Sequence, residues 1–437
     1  MPEAVIVAAV RTPVGKAGGL LRRWKAEDLA AWMLRHLLER QAVRPGQVDE
    51  LYLGNAVGGG GNVARLAWLV AGYPLEVPAV TVDRQCGSGL EAVIQASRQV
   101  ICGAASAVVA GGVESVTNAP LRARKVVEPE PSRKAERETA EMAHGNTGGE
   151  GKHGGEAVAP AGGTSSDRGT RWEFYTRPPF SPPYLGDPDM GVAAEEVARR
   201  YGIAREEQDE WAMWSHRRAL AAWEEGALAE VVCPLPPSPP LQDGRLLATD
   251  GPRSEWIERD EGPRKLTPRL AARAPAAFVP GGTVTAANSC GIHDGAAGVL
   301  IVAEDLARAL GCRFGLRFRG AAAAGVDPNV PGMGPVPAIR RLLQQTGLRL
   351  DEVDLFEVNE PFAAPLLACQ RELAIPPERL NVLGGALAYG HPYGATGAVL
   401  VCHLFAAMAR RRCRFGVVAL GIAGGLGLAA LFERVAW

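Results

Sequence analysis

The densest chemistry in the chain lies in one stretch, Val82-Asp83-Arg84-Gln85-Cys86-Gly87-Ser88-Gly89-Leu90-Glu91-Ala92-Val93. Its cysteine follows the apolar run 77–82 and precedes a segment whose apolar residues Leu90, Val93, Ile94 and Ile101 recur at helical spacing. That order reads as strand, tight turn and helix. A thiol at a helix N-terminus faces unpaired backbone N–H groups and the positive end of the helix dipole, and both favour the nucleophilic thiolate. Gly87 and Gly89 let a bulky substrate approach the backbone closely. Taken alone, the motif also describes a buried cysteine beside a glycine-rich turn. The elements around it have to decide between the two.

At 437 residues the chain exceeds a single ordinary core and calls for two or three domains. A hydrophobic share of 47%, a charged share of 22% and a net charge of −1 describe a globular protein with no global attraction to nucleic acid or to an anionic membrane. The expected partners are small molecules and other subunits. Eight cysteines, at 86, 102, 233, 290, 312, 369, 402 and 413, form no CxxC pair and no metal-like Cys/His spacing. We therefore expect no metal site, and reduced thiols in a cytoplasm. The first ten residues lack the basic start and long apolar run of a signal peptide. Residues 415–432 imitate a membrane span, with 18 uncharged residues, but glycines at 416, 421, 424, 425 and 427 interrupt them. Two buried strands joined at a glycine-rich turn fit that pattern better than a helix.

Strands are expected at 5–10, 48–57, 77–82 and 107–110, the last followed by a turn at Gly111-Gly112, with helices at 27–40, 66–71 and 86–101. Strands alternating with helices imply a largely parallel sheet covered on both faces. From 122 to 171 the composition turns to Glu, Lys, Arg, Gly, Ser and Pro, which predicts a disordered or loosely attached segment, with a solvated helix over 134–141. Helices near 193–201 and 203–226, then a Pro-rich connection at 234–240, make a helical insertion over the sheet. The final third repeats the first. Val48-Asp49 opens a strand ending at Gly54-Asn55 and Val353-Asp354 one ending at Asn359-Glu360, with 353 − 48 = 305; Cys86-Gly-Ser-Gly and His391-Pro-Tyr-Gly each open an apolar helix, and 391 − 86 = 305. Equal offsets indicate duplicated halves. We place them at 1–119 and 278–437, with a loop domain at 120–277 between. Cys86 and His391 then stand at the ends of related elements, where ligand sites of α/β sheets form.

Five motifs in order carry a family resemblance: Arg84-Gln85-Cys86-Gly87-Ser88-Gly89-Leu90; Met190-Gly191 with Arg205-Glu-Glu-Gln-Asp; Gly282-Thr-Val-Thr-Ala-Ala-Asn288-Ser-Cys290-Gly-Ile-His-Asp294-Gly-Ala-Ala; Glu357-Val-Asn359-Glu360-Pro361-Phe362-Ala363; and Gly384-Gly-Ala-Leu-Ala-Tyr-Gly390-His391-Pro-Tyr-Gly394-Ala-Thr-Gly397. Over nearly all of the chain except about 122–180, this resembles the thiolase family. The resemblance implies an α/β fold of duplicated βαβαβ halves forming a layered α/β/α/β/α core with a helical loop-domain insertion. It implies two-step acyl transfer, in which Cys86 attacks an acyl-CoA or 3-ketoacyl-CoA carbonyl and becomes acylated. His391 would take the thiol proton and help to stabilise a thioester enolate. Asn359 would hold a water that forms one oxyanion site with His391, and the backbone N–H groups of Cys86 and Ala423 would form the other. Met190 would line the acyl pocket, and Arg264 would lie near the nucleotide end of coenzyme A. Cys290 stands where relatives carry a serine that touches the pantetheine. Coenzyme A is implied as substrate and product, with no permanently bound cofactor, in a homodimer or homotetramer. Read without the family, a histidine after glycine also caps a helix, an asparagine also satisfies loop backbone, and Arg264 also suits solvent.

One departure bears on the chemistry. Relatives that make or break a carbon–carbon bond usually carry a second reactive cysteine in a Cys-x-Gly-Gly-Gly-type turn, and the matching turn here is Gly421-Ile422-Ala423-Gly424-Gly425-Leu426-Gly427. Glycine carries no transferable proton. In another branch the thiol comes from an Asn-Glu-Ala-Phe position, where Pro361 stands. Cys290, the remaining thiol within a motif, reads either as a partial replacement acid/base or as a conservative exchange for serine. The leading reading is a 3-ketoacyl-CoA thiolase or acetyl-CoA acetyltransferase of fatty-acid metabolism. The alternatives are an acyl-CoA transferase or slow thioesterase on the same scaffold, and a non-catalytic thiolase-like subunit.

Overall fold

The computed structural model describes residues 2–41, 43–126, 171–248 and 253–437. The chain divides into two compact units, Met1–Ala119 with Pro179–Trp437, and Pro120–Pro178.

The larger unit is built on nine principal strands: β1 Ala4–Arg11, β2 Glu50–Gly54, β3 Ala79–Val82, β4 Ala107–Glu114, β5 His293–Ala303, β6 Phe314–Gly325, β7 Leu355–Val358, β8 Phe415–Ile422 and β9 Leu426–Ala436. They lie in the order β7-β8-β9-β6-β1-β5-β4-β2-β3. The two ends of this order follow one plan. β2 and β4 are parallel, as are β7 and β8; β4/β5 and β5/β1 are antiparallel, as are β8/β9 and β9/β6. The halves meet through a short register of β1 on β6, Val5 with Arg317 and Ile6 with Leu316. The repeat extends to the anchors: Asp49 Oδ2 accepts from the amides of Ser106 and Ala107 at 2.7 and 2.9 Å, and Asp354 Oδ2 from those of Arg414 and Phe415 at 2.8 and 2.9 Å.

Among the described residues, eight helices have eight residues or more: α1 Ala26–Arg40, α2 Val63–Val70, α3 Ser88–Ile101, α4 Met190–Tyr201, α5 Arg205–Glu224, α6 Pro335–Thr346, α7 Ala363–Leu373 and α8 Tyr393–Arg411. α1 buries Leu29, Ala30, Met33, Leu34, Leu37 and Leu38, the stripe its period requires, and carries Glu27 and Asp28 in its first turn and Arg40 in its last, as the helix dipole favours. It packs with α2 on the outer face of the first half, against Leu51, Leu53 and Val109. α3 and α8 fill the layer between the halves: Leu90, Val93, Leu400 and Leu404 join Val108 from β4 and Val418 from β8 in one cluster. α6 and α7 cover the far face, with Ile339 and Leu366 against Val417 and Ala419. Alternate residues of each strand therefore serve opposite layers, and the layers run α/β/α/β/α. By length and composition α8 is apolar enough to cross a membrane, but 78% of its apolar window is buried inside the protein. Its all-round apolarity is that of a helix enclosed between two sheets.

Residues 415–432 form β8 and β9, joined by a turn in which Gly424 and Gly425 take φ of +83° and +80°. The expected turn at Gly111-Gly112 is instead the continuation of β4 to Glu114. A Cβ on Gly111 would lie 2.1 Å from the Ala297 carbonyl oxygen, and one on Gly112 2.3 Å from that of Gly394. The pair allows backbones to touch and does not turn the chain.

In the smaller unit Arg122–Val126 pairs antiparallel with Arg171–Tyr175, with Arg124 on Glu173 at 2.7 Å. The start of the segment expected to lack order thus pairs with a strand that opens at the segment's last residue, Arg171. Its interior, and the helix expected over 134–141, lie outside the described residues.

Candidate active site

The turns that open α3 and α8 lie against each other. A Cβ on Gly89 would stand 2.7 Å from the carbonyl oxygen of Gly394, so the contact needs glycine there. Glu114, buried at the end of β4, ties the turn that opens α8 to the turn after β2: its carboxylate accepts from Asn55 Nδ2 at 2.8 Å, the Ala56 amide at 2.9 Å, the Val57 amide at 3.2 Å and the Gly394 amide at 3.0 Å. The Cys86 turn is held by Ser88, whose Oγ accepts from the Arg84 amide at 2.8 Å and donates to the Gln85 carbonyl at 2.5 Å. The His391 amide donates to Gly291 O at 3.3 Å and the Cys290 amide to Pro361 O at 2.9 Å. Turns 86–89, 289–292, 359–362 and 391–394 are linked in this way, and a fifth, 421–425, joins them through Ala423.

The amides of Cys86 and Ala423 favour the Cys86 thiolate; desolvation outweighs them and, with Glu114 nearby, pushes the thiol up to about 12. The expected stabilisation of the thiolate at the helix N-terminus is opposed by desolvation of the sulfur. The donors are present, but desolvation is the larger effect. His391 is buried, with Nδ1 2.6 Å from Thr396 Oγ1, and burial reinforced by His293 pushes its imidazole down to about 3. Thiol and imidazole are both neutral at rest. Asn359, at the end of β7, is buried with neither Oδ1 nor Nδ2 paired among the described residues. An unmatched buried amide is costly, and a small polar molecule would relieve it. Glu357, two residues earlier on the same strand face, has both carboxyl oxygens unpaired among the described residues, and burial beside Glu360 raises its pKa well above the usual range.

A cleft of about 360 Å³ is lined by Lys16, Arg264, Phe278, Ser289, Cys290 and His293, among others. It brings Arg264 and Cys290 together. Burial pushes the Cys290 thiol up to about 12, with the neighbouring Cys86 as the next cause. Met190 opens α4 and packs on Ala194, Val284 and Phe362, and Phe362 meets Phe278 edge to face at 5.7 Å.

Comparison with known proteins decides the family. A model of the thiolase N-terminal domain matches residues 4–151 and 184–305, and a model of the thiolase C-terminal domain matches residues 314–434. The chain belongs to the thiolase family. YhfS of Bacillus subtilis strain 168, for which acetyl-CoA C-acetyltransferase activity is proposed by name, is 43% identical over 438 residues, covering 99% of this chain and 100% of its own. VraB of Staphylococcus aureus strain MRSA252, named in the same way, is 40% identical over 434 residues with the same coverage. The crystal structure of the Bacillus anthracis acetyl-CoA acetyltransferase superposes with a TM-score of 0.81 at 33% identity, covering 100% of this chain and 99% of that one. The layered fold is a thiolase fold, and the chain is a thiolase-type acyltransferase.

Within this thiolase, position 421 is closely packed. A Cβ on Gly421 would lie 2.7 Å from the Pro331 carbonyl oxygen and 3.1 Å from Gly332 Cα. Sequence reasoning missed four residues that the thiolase site draws in: Glu114, Thr396, Lys16 and Tyr393. Thr396 and Tyr393 stood in view within the His391 motif. Glu114 and Lys16 carried no local signal, because their roles come from turns far away in the chain.

Proposed function

We propose that the protein transfers acyl groups to and from coenzyme A through a thioester on Cys86, in the cleavage or formation of 3-ketoacyl-CoA. The observation that carries this reading is the Cys86 sulfur, whose charged form the amides of Cys86 and Ala423 both favour. Once the sulfur bonds to a carbonyl carbon, the same two donors face the developing oxyanion, each worth roughly 3 kcal/mol in comparable sites. His391, with Nδ1 engaged by Thr396, takes the thiol proton on Nε2. Asn359 holds a water that shares the second oxyanion site with His391, which suits its unpaired amide. Met190, Cys290 and Arg264 contact the acyl, pantetheine and nucleotide parts of the substrate. Coenzyme A comes and goes as substrate and product.

The names of the relatives favour acetyl-CoA as one substrate. A second reading, acyl transfer or slow hydrolysis without carbon–carbon chemistry, is favoured by the closed glycine at 421. Self-association as a homodimer or homotetramer is supported by the half-buried edge strand β3 beside exposed Leu66, Leu69 and Leu75. A cytoplasmic setting is supported by eight free cysteines.

Incubation with acetyl-CoA followed by intact mass tests the reading. An acetyl adduct is expected on the wild type and absent from Cys86→Ala. No adduct on the wild type refutes it.

A further inference from the structure

Breaking the bond between C2 and C3 of a 3-ketoacyl-CoA leaves electrons on C2 that must be met by a proton. Position 421 has none to give, and Pro361 closes the other place from which relatives draw one. Tyr393 is the residue whose placement answers this need. It is the third residue of the His391 turn, and its ring stands edge to face on the His391 imidazole, centroids 5.2 Å apart at 79°. Its φ is +21°, a region a tyrosine rarely occupies, so the surrounding packing holds it there against backbone strain. The side chain is half-buried, and its hydroxyl makes no hydrogen bond among the described residues. Burial raises its pKa first, followed by the Cys86 and Cys290 thiols and Glu114. The hydroxyl therefore feels both thiols of the site and stays protonated at neutral pH.

We propose that the Tyr393 hydroxyl is the proton carrier for carbon–carbon bond cleavage in this enzyme, the role that Gly421 leaves open. The inference rests on the acyl-enzyme reading above. Cys86 gives its proton to His391 and its sulfur bonds to C3. The C2–C3 pair moves to C2, Tyr393 O–H protonates that carbon, and the shorter acyl-CoA leaves. Incoming CoA thiol returns a proton to the phenolate and its sulfur attacks the Cys86 thioester. The Cys86–carbon bond breaks, and the sulfur recovers its proton from His391. The sum is 3-ketoacyl-CoA plus CoA giving two acyl-CoA molecules, with the protein unchanged. The phenol acts as acid while it is protonated and as base only once it is the phenolate.

Tyr393→Phe keeps the ring on His391 and removes only the oxygen. Three rates are measured for wild type, Tyr393→Phe and Cys290→Ser: acetyl adduct formation on Cys86, CoA-dependent loss of acetoacetyl-CoA absorbance, and deuterium uptake into acetyl-CoA in heavy water. The expected result for Tyr393→Phe is a fall of about a hundredfold or more in cleavage relative to adduct formation, with deuterium uptake lost in parallel. A ratio within about threefold of wild type overturns the assignment, as does loss of cleavage in Cys290→Ser with Tyr393→Phe at the wild-type ratio. A wild type that forms the adduct but cleaves nothing overturns it while leaving the acyl-enzyme intact. A wild type with no adduct overturns both.

Discussion

The resting charge state of the Cys86–His391 pair is open to direct measurement. With the thiol pushed up to about 12 and the imidazole down to about 3, neither group ionises between those limits. At pH 7 the thiolate fraction of Cys86 is then about 10⁻⁵, against about 3% for an ordinary exposed cysteine. A more basic thiolate is also more nucleophilic, which recovers a factor of about 40 from the ~3 × 10³ deficit and leaves a net lag of about a hundredfold. Cys102, exposed on the same chain, is the internal comparison. Iodoacetamide labelling of the free protein, quantified peptide by peptide, should show Cys86 lagging Cys102 at pH 7 by about two orders of magnitude and rising roughly tenfold per pH unit to at least pH 10. Acylation by substrate should be nearly flat between about pH 5 and pH 9, because His391 takes the proton during attack. A labelling plateau for Cys86 between pH 5 and 8, at a rate above that of Cys102, would refute the reasoning and indicate a thiolate–imidazolium pair.

Asn359→Ala should lower kcat for carbon–carbon cleavage by about a hundredfold through the lost oxyanion water, with acetyl adduct formation affected less. Thr396→Val frees the His391 ring at Nδ1 and should cost about tenfold in kcat, the equivalent of one hydrogen bond, with KM little changed in steady-state kinetics. Glu114→Gln turns an amide N–H toward two of the four donors that now share one carboxylate. It should reduce both adduct formation and cleavage tenfold or more, by roughly the cost of a misplaced active-site turn. Gly421→Ala and Gly421→Cys should each lose about 1–3 kcal/mol in denaturant melts, and the cysteine should bring no gain in cleavage.

What was legible in the sequence followed from periodicity and from the 305-residue offset. That offset matched β2 with β7 and α3 with α8, and so set the turns of Cys86 and His391 at related ends before any packing was known. The Gly111-Gly112 pair misled because a glycine pair reads as a turn unless its neighbours are known, and those neighbours, Ala297 and Gly394, lie more than 180 residues further along the chain. Cys86 is a similar case. The helix N-terminus is local and readable, whereas the desolvation that opposes it, and the Ala423 amide and Glu114 that also act on the sulfur, depend on the tertiary fold. Glu114 could not be found at all from its own surroundings, since each of its four donors belongs to another turn.

The glycine at 421 and the loop facing it form one construction. Pro331 and Met333 make a short helical turn at the entrance to α6, and the Pro331 carbonyl that crowds Gly421 already accepts from the Gly334 amide at 3.1 Å. It cannot swing aside without freeing that donor and shifting the start of α6. The same loop is tied to the far end of the turn by the Val326 amide on Gly425 O at 2.7 Å. A side chain at 421 would therefore have to displace a strap fixed at both ends, where well-packed interiors resist even one added carbon. A thiol at 421 would need the strap to move as well, so Gly421→Cys alone does not make room for its own side chain. The proposed carrier, Tyr393, stands on the His391 turn and needs no such movement.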